Sequence, residues 1–207
     1  MYFWYRVNEG EKCFKMLKGN IGYITLANIT EMDIPEIKKL FKDTKGIIID
    51  IRNYPSTFVP FALGSYFVTE PTSFAKFTQG NPGNPGEFTF KDGDIIPSDE
   101  NRYKGKLVVL VNEKSQSQAE YTAMAFRAAT NTTIVGSTTA GADGNVSTIL
   151  LPGGLSTMIS GIGVYYPNGT ETQRIGIVPD VTVKPTIEGI KKGKDEVLEK
   201  AIEIINR

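Results

Sequence analysis

Residues 106–136 read KLVVLVNEKSQSQAEYTAMAFRAATNTTIVG, and this stretch is the strongest indicator of the fold class. It begins with a continuous apolar run, passes through a polar turn, continues as a helix-like segment at 118–129 and ends in a second apolar run at 132–136. Continuous apolar runs are typical of strands that are buried on both faces of a parallel sheet. A strand, a helix and another strand in succession predict an α/β fold.

The same order of elements occurs earlier in the chain. A strand-like segment at 22–27 is followed by a helical pattern at 31–43 and then by the apolar run GIIIDIR at 46–52. This second strand–helix–strand unit supports the α/β prediction. We interpret Asp50 and Arg52, at the charged end of the last run, as the solvated tip of a buried strand.

The segments around these two units are less regular. Apolar stretches at 1–7 and 13–18 predict strands of a small sheet, and the amphipathic pattern at 195–206 predicts a terminal helix. The Gly- and Pro-rich passage 77–105 predicts a surface excursion rather than core. A length of 207 residues fits one compact domain.

Composition argues against several classes of protein. Lys plus Arg and Asp plus Glu both number 23, so the chain lacks the basic field that draws proteins to nucleic acid. No stretch approaches the roughly 20 apolar residues of a membrane-spanning helix, so we expect no span. Cys13 is the single cysteine and fits a half-buried thiol, and no motif predicts a metal or a cofactor. Histidine, the commonest general base, is absent.

Ser117 is the first candidate for chemistry. It stands between a buried strand and the start of a helix, where unpaired backbone N–H groups stabilise developing negative charge. That position suits a nucleophile. The stretch from Ser117 to Glu120 also matches a capping box, in which the serine caps the helix and the glutamate reaches back to it. Spacing alone favours the cap, and one residue is able to do both.

Three other loops carry polar residues after apolar runs. The turn at 52–57 is able to supply a backbone amide to an oxyanion hole, or it simply starts a helix at Pro55. The small-residue loop 137–145 matches no phosphate-binding motif, and it predicts a tight turn that another backbone approaches, with Asp143 as a hydrogen-bonding group. Charged residues at 168–180 are those of an ordinary solvated loop.

Four segments carry a further signal: KGIIIDIRNYPS (45–56), KLVVLVNEKSQSQAE (106–120), TIVGSTTAGADGN (133–145) and RIGIVPDVTV (174–183). Taken in this order, they resemble the C-terminal-processing (tail-specific) serine peptidases, family forty-one of the serine peptidases, including its tricorn-core branch. They resemble the family's IDLRNNPGG turn, its S-x-S-x-S/A-E nucleophile turn, its VGEPTxGKG loop and its GxGIxPDI ending. Ordered motifs at compatible spacing are more specific than any one of them, and the resemblance covers nearly the whole chain from about residue 22.

The resemblance implies the roles of a serine peptidase site. Ser117 corresponds to the nucleophile that forms the acyl-enzyme. The backbone amide of Gln118, with an amide of Ser56 or Thr57, corresponds to the oxyanion hole. The candidates for support of these groups are Glu120, Gln173, Lys114 and Asp143.

The resemblance leaves the general base open. In one branch of the family the base is a lysine of the GKG turn, and Ala142 stands at that position here. In the tricorn-like branch it is a histidine from an upstream segment, oriented by a glutamate whose position here is Gln173. Three explanations remain: a histidine outside this chain, which we prefer, a local lysine such as Lys114, or a lost base.

The resemblance also implies a fold and an environment. It implies a crotonase-like, ClpP-type core of stacked β-β-α units over 22–207, with 1–21 as the remnant of a preceding domain. A cap or PDZ-like domain would precede this core. The partner would be a peptide or unfolded protein held in an extended conformation by strand addition, and the location would be the bacterial cell envelope or periplasm.

Two functions of different classes follow. The first is a serine-type endopeptidase catalytic domain that hydrolyses peptide bonds through an acyl-enzyme on Ser117. The alternative is a noncatalytic peptide-binding scaffold, a pseudopeptidase that has kept the groove and lost the base. A thioester enzyme of the crotonase type lacks support, because the sequence contains no legible site for an adenosine phosphate.

Overall fold

The computed structural model describes residues 10–91 and 93–207, so the strand expected at 1–7 lies outside the described residues. In chain order the elements are β1 (Phe14–Leu17), β2 (Ile21–Thr25), α1 (Asp33–Phe41), β3 (Gly46–Asp50), α2 (Pro60–Gly64), β4 (Thr72–Ser73), β5 (Lys76–Gly80), β6 (Phe88–Lys91), β7 (Ile95–Ile96), β8 (Lys106–Val111), α3 (Gln118–Arg127), β9 (Thr132–Gly136), β10 (Val146–Leu151), β11 (Leu155–Ser160), β12 (Val164–Tyr165), β13 (Val181–Thr182), α4 (Ile187–Lys191) and α5 (Glu196–Asn206).

The central sheet, as far as the structure describes the chain, has six strands in the order β1-β2-β3-β8-β9-β13. β1 runs antiparallel to β2, and the other four pairings are parallel. The two expected strand–helix–strand units are β2-α1-β3 and β8-α3-β9. The mixed α/β prediction is therefore confirmed, with a mainly parallel sheet.

The sheet is buried on both faces, as its continuous apolar runs predict. Ile47 and Ile49 of β3 pack in the cluster that contains the buried residues of α1, α2 and α3. Ile48, between them, packs on the opposite face with Val197 and Ile205 of α5. Successive side chains of a strand point to opposite faces, so a strand covered on both sides has no solvent-facing position along its buried length. The predicted terminal helix is confirmed as α5, one of these two covering layers.

β1 joins the central sheet through its pairing with β2, across the boundary expected at residue 21. The identity of residues 1–21 as the remnant of a preceding domain stays a prediction. Cys13 lies just before β1 and is only 3% exposed, so the half-buried thiol that we expected is in fact fully packed in the core. Its burial, together with the charge of nearby Asp33, raises the pKa of the thiol to about 12.

The Gly- and Pro-rich excursion contains more structure than expected. β5 and β6 form an antiparallel hairpin, and β12 pairs with β5 on its other side. Ile96 and Tyr103, in the second half of the passage, are buried in the main core cluster. The prediction that the passage stays outside the core is therefore wrong for this half, where the Tyr103 hydroxyl also donates to the carbonyl of Thr44 at 2.9 Å.

A second hairpin, β10–β11, extends away from the core. All of its strand residues are exposed, and its pairing joins Val146 to Ser160 and Leu151 to Leu155. It contains only apolar and hydroxyl side chains, and Leu150 is 83% exposed. Among the described residues, no helix is long and apolar enough to cross a membrane.

Asp50 and Arg52 form a buried ionic network rather than the solvated strand tip that we predicted. They are 1% and 6% exposed. Arg52 donates to both carboxylate oxygens of Asp50 at 2.9 and 2.6 Å, and to both of Asp195 at 2.8 and 2.7 Å. The Tyr23 hydroxyl donates to Asp50 at 2.8 Å. This network joins the end of β3 to the first turn of α5, a partner that lies 143 residues further along the chain.

Candidate active site

Ser117 occupies a strained turn between β8 and α3. Its backbone angles are φ 53° and ψ −120°, a combination that residues with a β-carbon rarely adopt. Strain of this kind costs roughly 1–3 kcal/mol and persists only where the surrounding structure enforces it. A strained strand-to-helix turn is a known way of presenting a serine hydroxyl as a nucleophile. The half-buried Ser117 therefore has the local geometry that its candidate role requires.

Glu120 anchors this turn and the neighbouring loop. Its side chain is fully buried, and it completes the expected capping box by accepting the backbone N–H of Ser117 at 3.1 Å. The same carboxylate oxygen accepts the N–H of Ala142 at 2.8 Å. The other oxygen accepts the hydroxyl of Thr139 and the N–H of Gly141, the latter at 2.7 Å. One carboxylate therefore holds the 139–142 loop against the serine turn.

The 137–145 loop is the tight, closely approached turn that its small residues predict. Gly141 has φ +66°, and a β-carbon there would lie 2.9 Å from the carbonyl carbon of Arg174. The N–H of Arg174 donates to the carbonyl of Gly141 at 2.6 Å. Nearby, the Thr139 hydroxyl accepts the N–H of Ile177 at 2.7 Å. These contacts hold the segment after residue 171, which we interpreted as a solvated loop, against the 137–145 loop of the candidate site.

A side-chain hydrogen bond links the turn at 56–57 to the serine turn. The amide nitrogen Nε2 of Gln118 donates to the carbonyl of Thr57 at 3.0 Å. Ser56 is engaged elsewhere, since its N–H donates to the carbonyl of Leu26 at 2.9 Å and its hydroxyl to that of Ile29 at 2.6 Å. Ser56 is therefore not an available oxyanion donor, which corrects that part of the expectation, whereas Thr57 stays a candidate.

Ser115 is a supporting residue that the sequence analysis missed. It is 1% exposed, and its hydroxyl donates to the carbonyl of Ile51 at 2.9 Å. The same oxygen accepts the N–H of Asn112 at 3.1 Å, and the Ser115 carbonyl accepts the N–H of Ala140 at 3.0 Å. It thereby joins the ends of β3 and β8 to the 139–142 loop. The only sequence signal for Ser115 is its position two residues before Ser117.

The remaining candidates are placed in different surroundings. Lys114 lines a cavity of about 410 Å³ next to α5, which it shares with Arg52 and Asp195. Gln173 binds the backbone at the start of β12 through both ends of its amide. Its Nε2 donates to the carbonyl of Ile162 at 3.1 Å, and its Oε1 accepts the N–H of Val164 at 3.3 Å. The two hydrogen bonds of the Gln173 side chain point to a structural role, whereas a supporting role for Lys114 stays a prediction.

Asp143 lies buried at the end of the 139–142 loop. It is 7% exposed, and its Oδ1 accepts the N–H of Gly144 at 2.8 Å, as its expected hydrogen-bonding role requires. Burial raises the pKa of Asp143 to about 7. The hydrogen bond from Gly144 opposes this rise, and the negative charge of Glu120 adds to it.

The model of the family described as Peptidase family S41 matches residues 20–183. The chain belongs to peptidase family S41. The resemblance to the family forty-one serine peptidases that we stated from the sequence is therefore confirmed.

Individual S41 relatives agree with this assignment. The carboxy-terminal-processing protease of Bartonella bacilliformis is 30% identical over 193 residues, which cover 88% of this chain and 43% of the relative. The tricorn protease of Thermoplasma acidophilum is 23% identical, over 91% of this chain and 17% of its own length. A crystal structure from Parabacteroides merdae aligns with a TM-score of 0.82 and 26% identity, over 93% of this chain and 63% of that one. The chain thus spans less than half the length of these two named proteases.

Within this S41 domain, Glu120→Gln will test the anchoring carboxylate. The amide replaces one acceptor oxygen with a donor that faces N–H or O–H groups, so two of the four donors to this side chain lose their acceptor. We expect the free energy of unfolding to fall by about 3 kcal/mol. Urea denaturation measures this fall, and Glu171→Gln, at an exposed position, is the matched control. An unchanged midpoint in Glu120→Gln would show that the loop is held by its other contacts.

Proposed function

We propose that this chain is the catalytic domain of a serine endopeptidase that hydrolyses peptide bonds through an acyl-enzyme on Ser117. The observation that carries the proposal is the strained backbone of Ser117 at the first turn of α3, held by the buried carboxylate of Glu120. A structural helix cap needs no strain, since ordinary caps adopt extended backbone angles. The strain is therefore best explained by the presentation of a nucleophile.

The proposed oxyanion hole consists of the backbone N–H groups of Gln118 and Thr57. Within the described part of the chain, neither N–H donates to another protein atom. The Gln118 N–H is the first of α3, where the helix dipole adds positive potential. The Gln118 side chain also donates to the Thr57 carbonyl, which supports the proposal that these two neighbouring residues act together. Two such donors stabilise the oxygen that becomes negative when Ser117 attacks a peptide carbonyl.

Gln118→Ala will test the side-chain hydrogen bond that links the two residues of the proposed oxyanion hole, Gln118 and Thr57. The backbone N–H of residue 118 survives in the variant, but the side-chain hydrogen bond to Thr57 is lost. We expect kcat to fall by about 10-fold with KM nearly unchanged, because the Thr57 N–H is no longer held in place for the transition state. Steady-state hydrolysis of a fluorogenic peptide measures both constants, with the exposed Gln116→Ala as control. Equal kcat in the two variants would exclude a positioning role for the Gln118 side chain.

We also propose the fold type, the substrate, the preceding domain and the location that the family resemblance implies. A crotonase-like, ClpP-type arrangement of stacked β-β-α units is supported by the two β–α–β units that follow one another around the central sheet. The substrate would be a peptide or unfolded protein that binds as an added strand. A preceding cap or PDZ-like domain and a location in the bacterial cell envelope or periplasm follow from the family resemblance.

A fluorophosphonate probe tests the nucleophile directly, because it phosphonylates activated serine hydroxyls. We expect one adduct, mapped by peptide mass spectrometry to Ser117 and absent from Ser117→Ala. Ser73→Ala, at an exposed serine, should label like the wild type. The protein is tested both as this chain and in the form that its gene encodes. An adduct at another residue, or equal labelling of Ser117→Ala, would overturn the proposal.

A further inference from the structure

An exposed aromatic ring follows directly after Thr57, one of the two proposed oxyanion donors. The side chain of Phe58 is 50% exposed. Exposed apolar side chains that occur singly are ordinary on protein surfaces and need no explanation. Phe58 belongs to a cluster instead, because its ring centroid lies 5.9 Å from that of Phe61 and 6.0 Å from that of Tyr121. The ring planes of Phe58 and Tyr121 differ by only 18°, so the two rings lie nearly parallel.

Tyr121 places this exposed ring beside the serine turn. The N–H of Tyr121 donates to the carbonyl of Ser117 at 3.0 Å, and residues four apart on a helix lie on the same face, one turn from each other. The preceding residue of the exposed ring also contacts α3, since the carbonyl of Thr57 accepts Nε2 of Gln118 at 3.0 Å. The segment from Thr57 to Phe58 is therefore held against the first turn of α3 at two points, directly after Ser117 and one turn further along.

The layer beneath the exposed ring is aromatic and packed. Tyr121 and Phe74 are both buried, and their ring centroids lie 4.9 Å apart. Phe61 contacts the same Phe74 ring at 5.9 Å between centroids. The hydroxyl of Tyr121, the polar end of this layer, already donates to the carboxylate of Asp94. The layer therefore supports Phe58 from below and offers an apolar surface to a molecule at the serine turn.

A substrate attacked by Ser117 would bring one particular side chain to this surface. The carbonyl oxygen of the attacked peptide bond would lie at the N–H groups of Gln118 and Thr57, the proposed oxyanion hole. The residue that supplies this carbonyl is the acyl-side residue of the substrate. Its side chain is attached to the Cα next to the attacked carbonyl carbon, so it is among the substrate groups nearest to the residue after Thr57.

We infer that Phe58 is a specificity-determining residue, which contacts the acyl-side side chain of the substrate and selects a large apolar one. The inference rests on the proposed function of Ser117 as nucleophile, and it names the substrate class of that site. The preferred peptides carry leucine, methionine or phenylalanine on the acyl side of the scissile bond.

The chemistry of the aromatic layer explains this selection. A large apolar side chain removes the exposed part of the Phe58 ring from water, which a small side chain such as that of alanine does to a lesser extent. An acidic side chain would lose its hydration on this surface, and the Tyr121 hydroxyl is already engaged by Asp94. The carboxylate of Asp94 would also repel a second negative charge.

The test compares quenched fluorescent peptides that differ only in the acyl-side residue, which is leucine, alanine or glutamate. Steady-state hydrolysis by the protein as its gene encodes it gives kcat/KM, and mass spectrometry of the products identifies the cleaved bond. We expect kcat/KM of the wild type to be about 10–100-fold higher for the leucine peptide than for either other peptide. Phe58→Ala should lower the leucine-to-alanine ratio by about 10-fold, and Phe58→Leu should keep most of it.

Two controls make the result specific to this ring and this substrate position. Phe88→Ala removes a ring of β6 that is 58% exposed, and it should keep the wild-type ratio. In a second peptide series, only the residue on the amine side of the scissile bond changes, and Phe58→Ala should leave the preference within that series as in the wild type. Circular dichroism checks that each variant is folded.

The other outcomes overturn the inference. A wild type that favours alanine or glutamate, or folded Phe58→Ala with the wild-type ratio, would show that Phe58 does not select the acyl-side residue, although Ser117 would stand as nucleophile. A changed preference in the amine-side series alone would assign Phe58 to the other side of the bond. If no peptide is hydrolysed in a way that Ser117→Ala abolishes, the proposed function fails and the inference fails with it.

Discussion

Replacing Ser117 with alanine will reduce peptide hydrolysis by about 10⁴-fold or more, because the acyl-enzyme can no longer form. The residual rate would come from substrate binding and from the oxyanion donors of Gln118 and Thr57. The measurement is the cleavage of a quenched fluorescent peptide by the protein as its gene encodes it, in wild-type and variant forms. Hydrolysis retained within 10-fold of the wild type would rule out Ser117 as the nucleophile.

The stability of two Ser117 variants separates the loss of chemistry from damage to the fold. Ser117→Ala loses the capping hydroxyl and keeps a β-carbon at φ 53°, so its free energy of unfolding should fall by about 0.5–2 kcal/mol. Ser117→Gly also lacks the hydroxyl but adopts this backbone without strain. We expect the glycine variant to be more stable than the alanine variant by roughly 1 kcal/mol. The opposite order in urea denaturation would argue against strain at this turn.

Arg52→Ala will have the largest effect on stability. The truncation leaves the carboxylate of Asp50, only 1% exposed, without its positive partner, and it releases Asp195 at the start of α5. Removing one member of a buried ion pair typically lowers the free energy of unfolding by about 3–5 kcal/mol. Urea denaturation at pH 7 measures this loss. A decrease below about 1 kcal/mol would mean that the network behaves as a surface pair.

Two comparisons make the Arg52 result specific. Lys12→Ala removes an ion pair with Glu36 whose side chains are 66% and 55% exposed, so its effect should stay below about 1 kcal/mol. The second comparison is the pH dependence of the free energy of unfolding. Burial alone would raise the pKa of Asp195, but the hydrogen bonds and charge of Arg52 lower it below its ordinary value. Its contribution to stability is therefore present above about pH 4 and lost as pH falls through the lowered pKa. Arg52→Ala should weaken this dependence, since only the backbone N–H groups of Val197 and Leu198 would still lower the pKa.

The elements that were predicted correctly depend on local patterns. The runs at 46–50 and 106–111 are apolar at almost every position, and only a strand covered on both faces requires that. α5 was evident from apolar residues that recur with the helical period. The pairing of Ser117 with Glu120 follows from a spacing of three residues at a helix start.

The errors have a common physical cause. Arg52 was interpreted as solvated because its partner Asp195 lies 143 residues away and no local pattern links the two. Ile96 and Tyr103 were assigned to a surface excursion because glycine and proline around them indicate turns but do not indicate which apolar side chains return to the core. The Ser56 N–H was offered as an oxyanion donor, but a carbonyl from a neighbouring segment already accepts it.

The sequence by itself determined the α/β class, the family and the position of the candidate nucleophile, because periodicity, capping and motif order are properties of neighbouring residues. Only the tertiary structure decided which polar groups lose contact with water. It placed four donors around the carboxylate of Glu120 and brought the Gln118 side chain to Thr57. It also buried one oxygen of Asp143, which has no hydrogen-bond partner among residues 10–91 and 93–207. Desolvation and long-range hydrogen bonding depend on the packing of distant segments, and they set the charge and reactivity of the side chains that a sequence can only name.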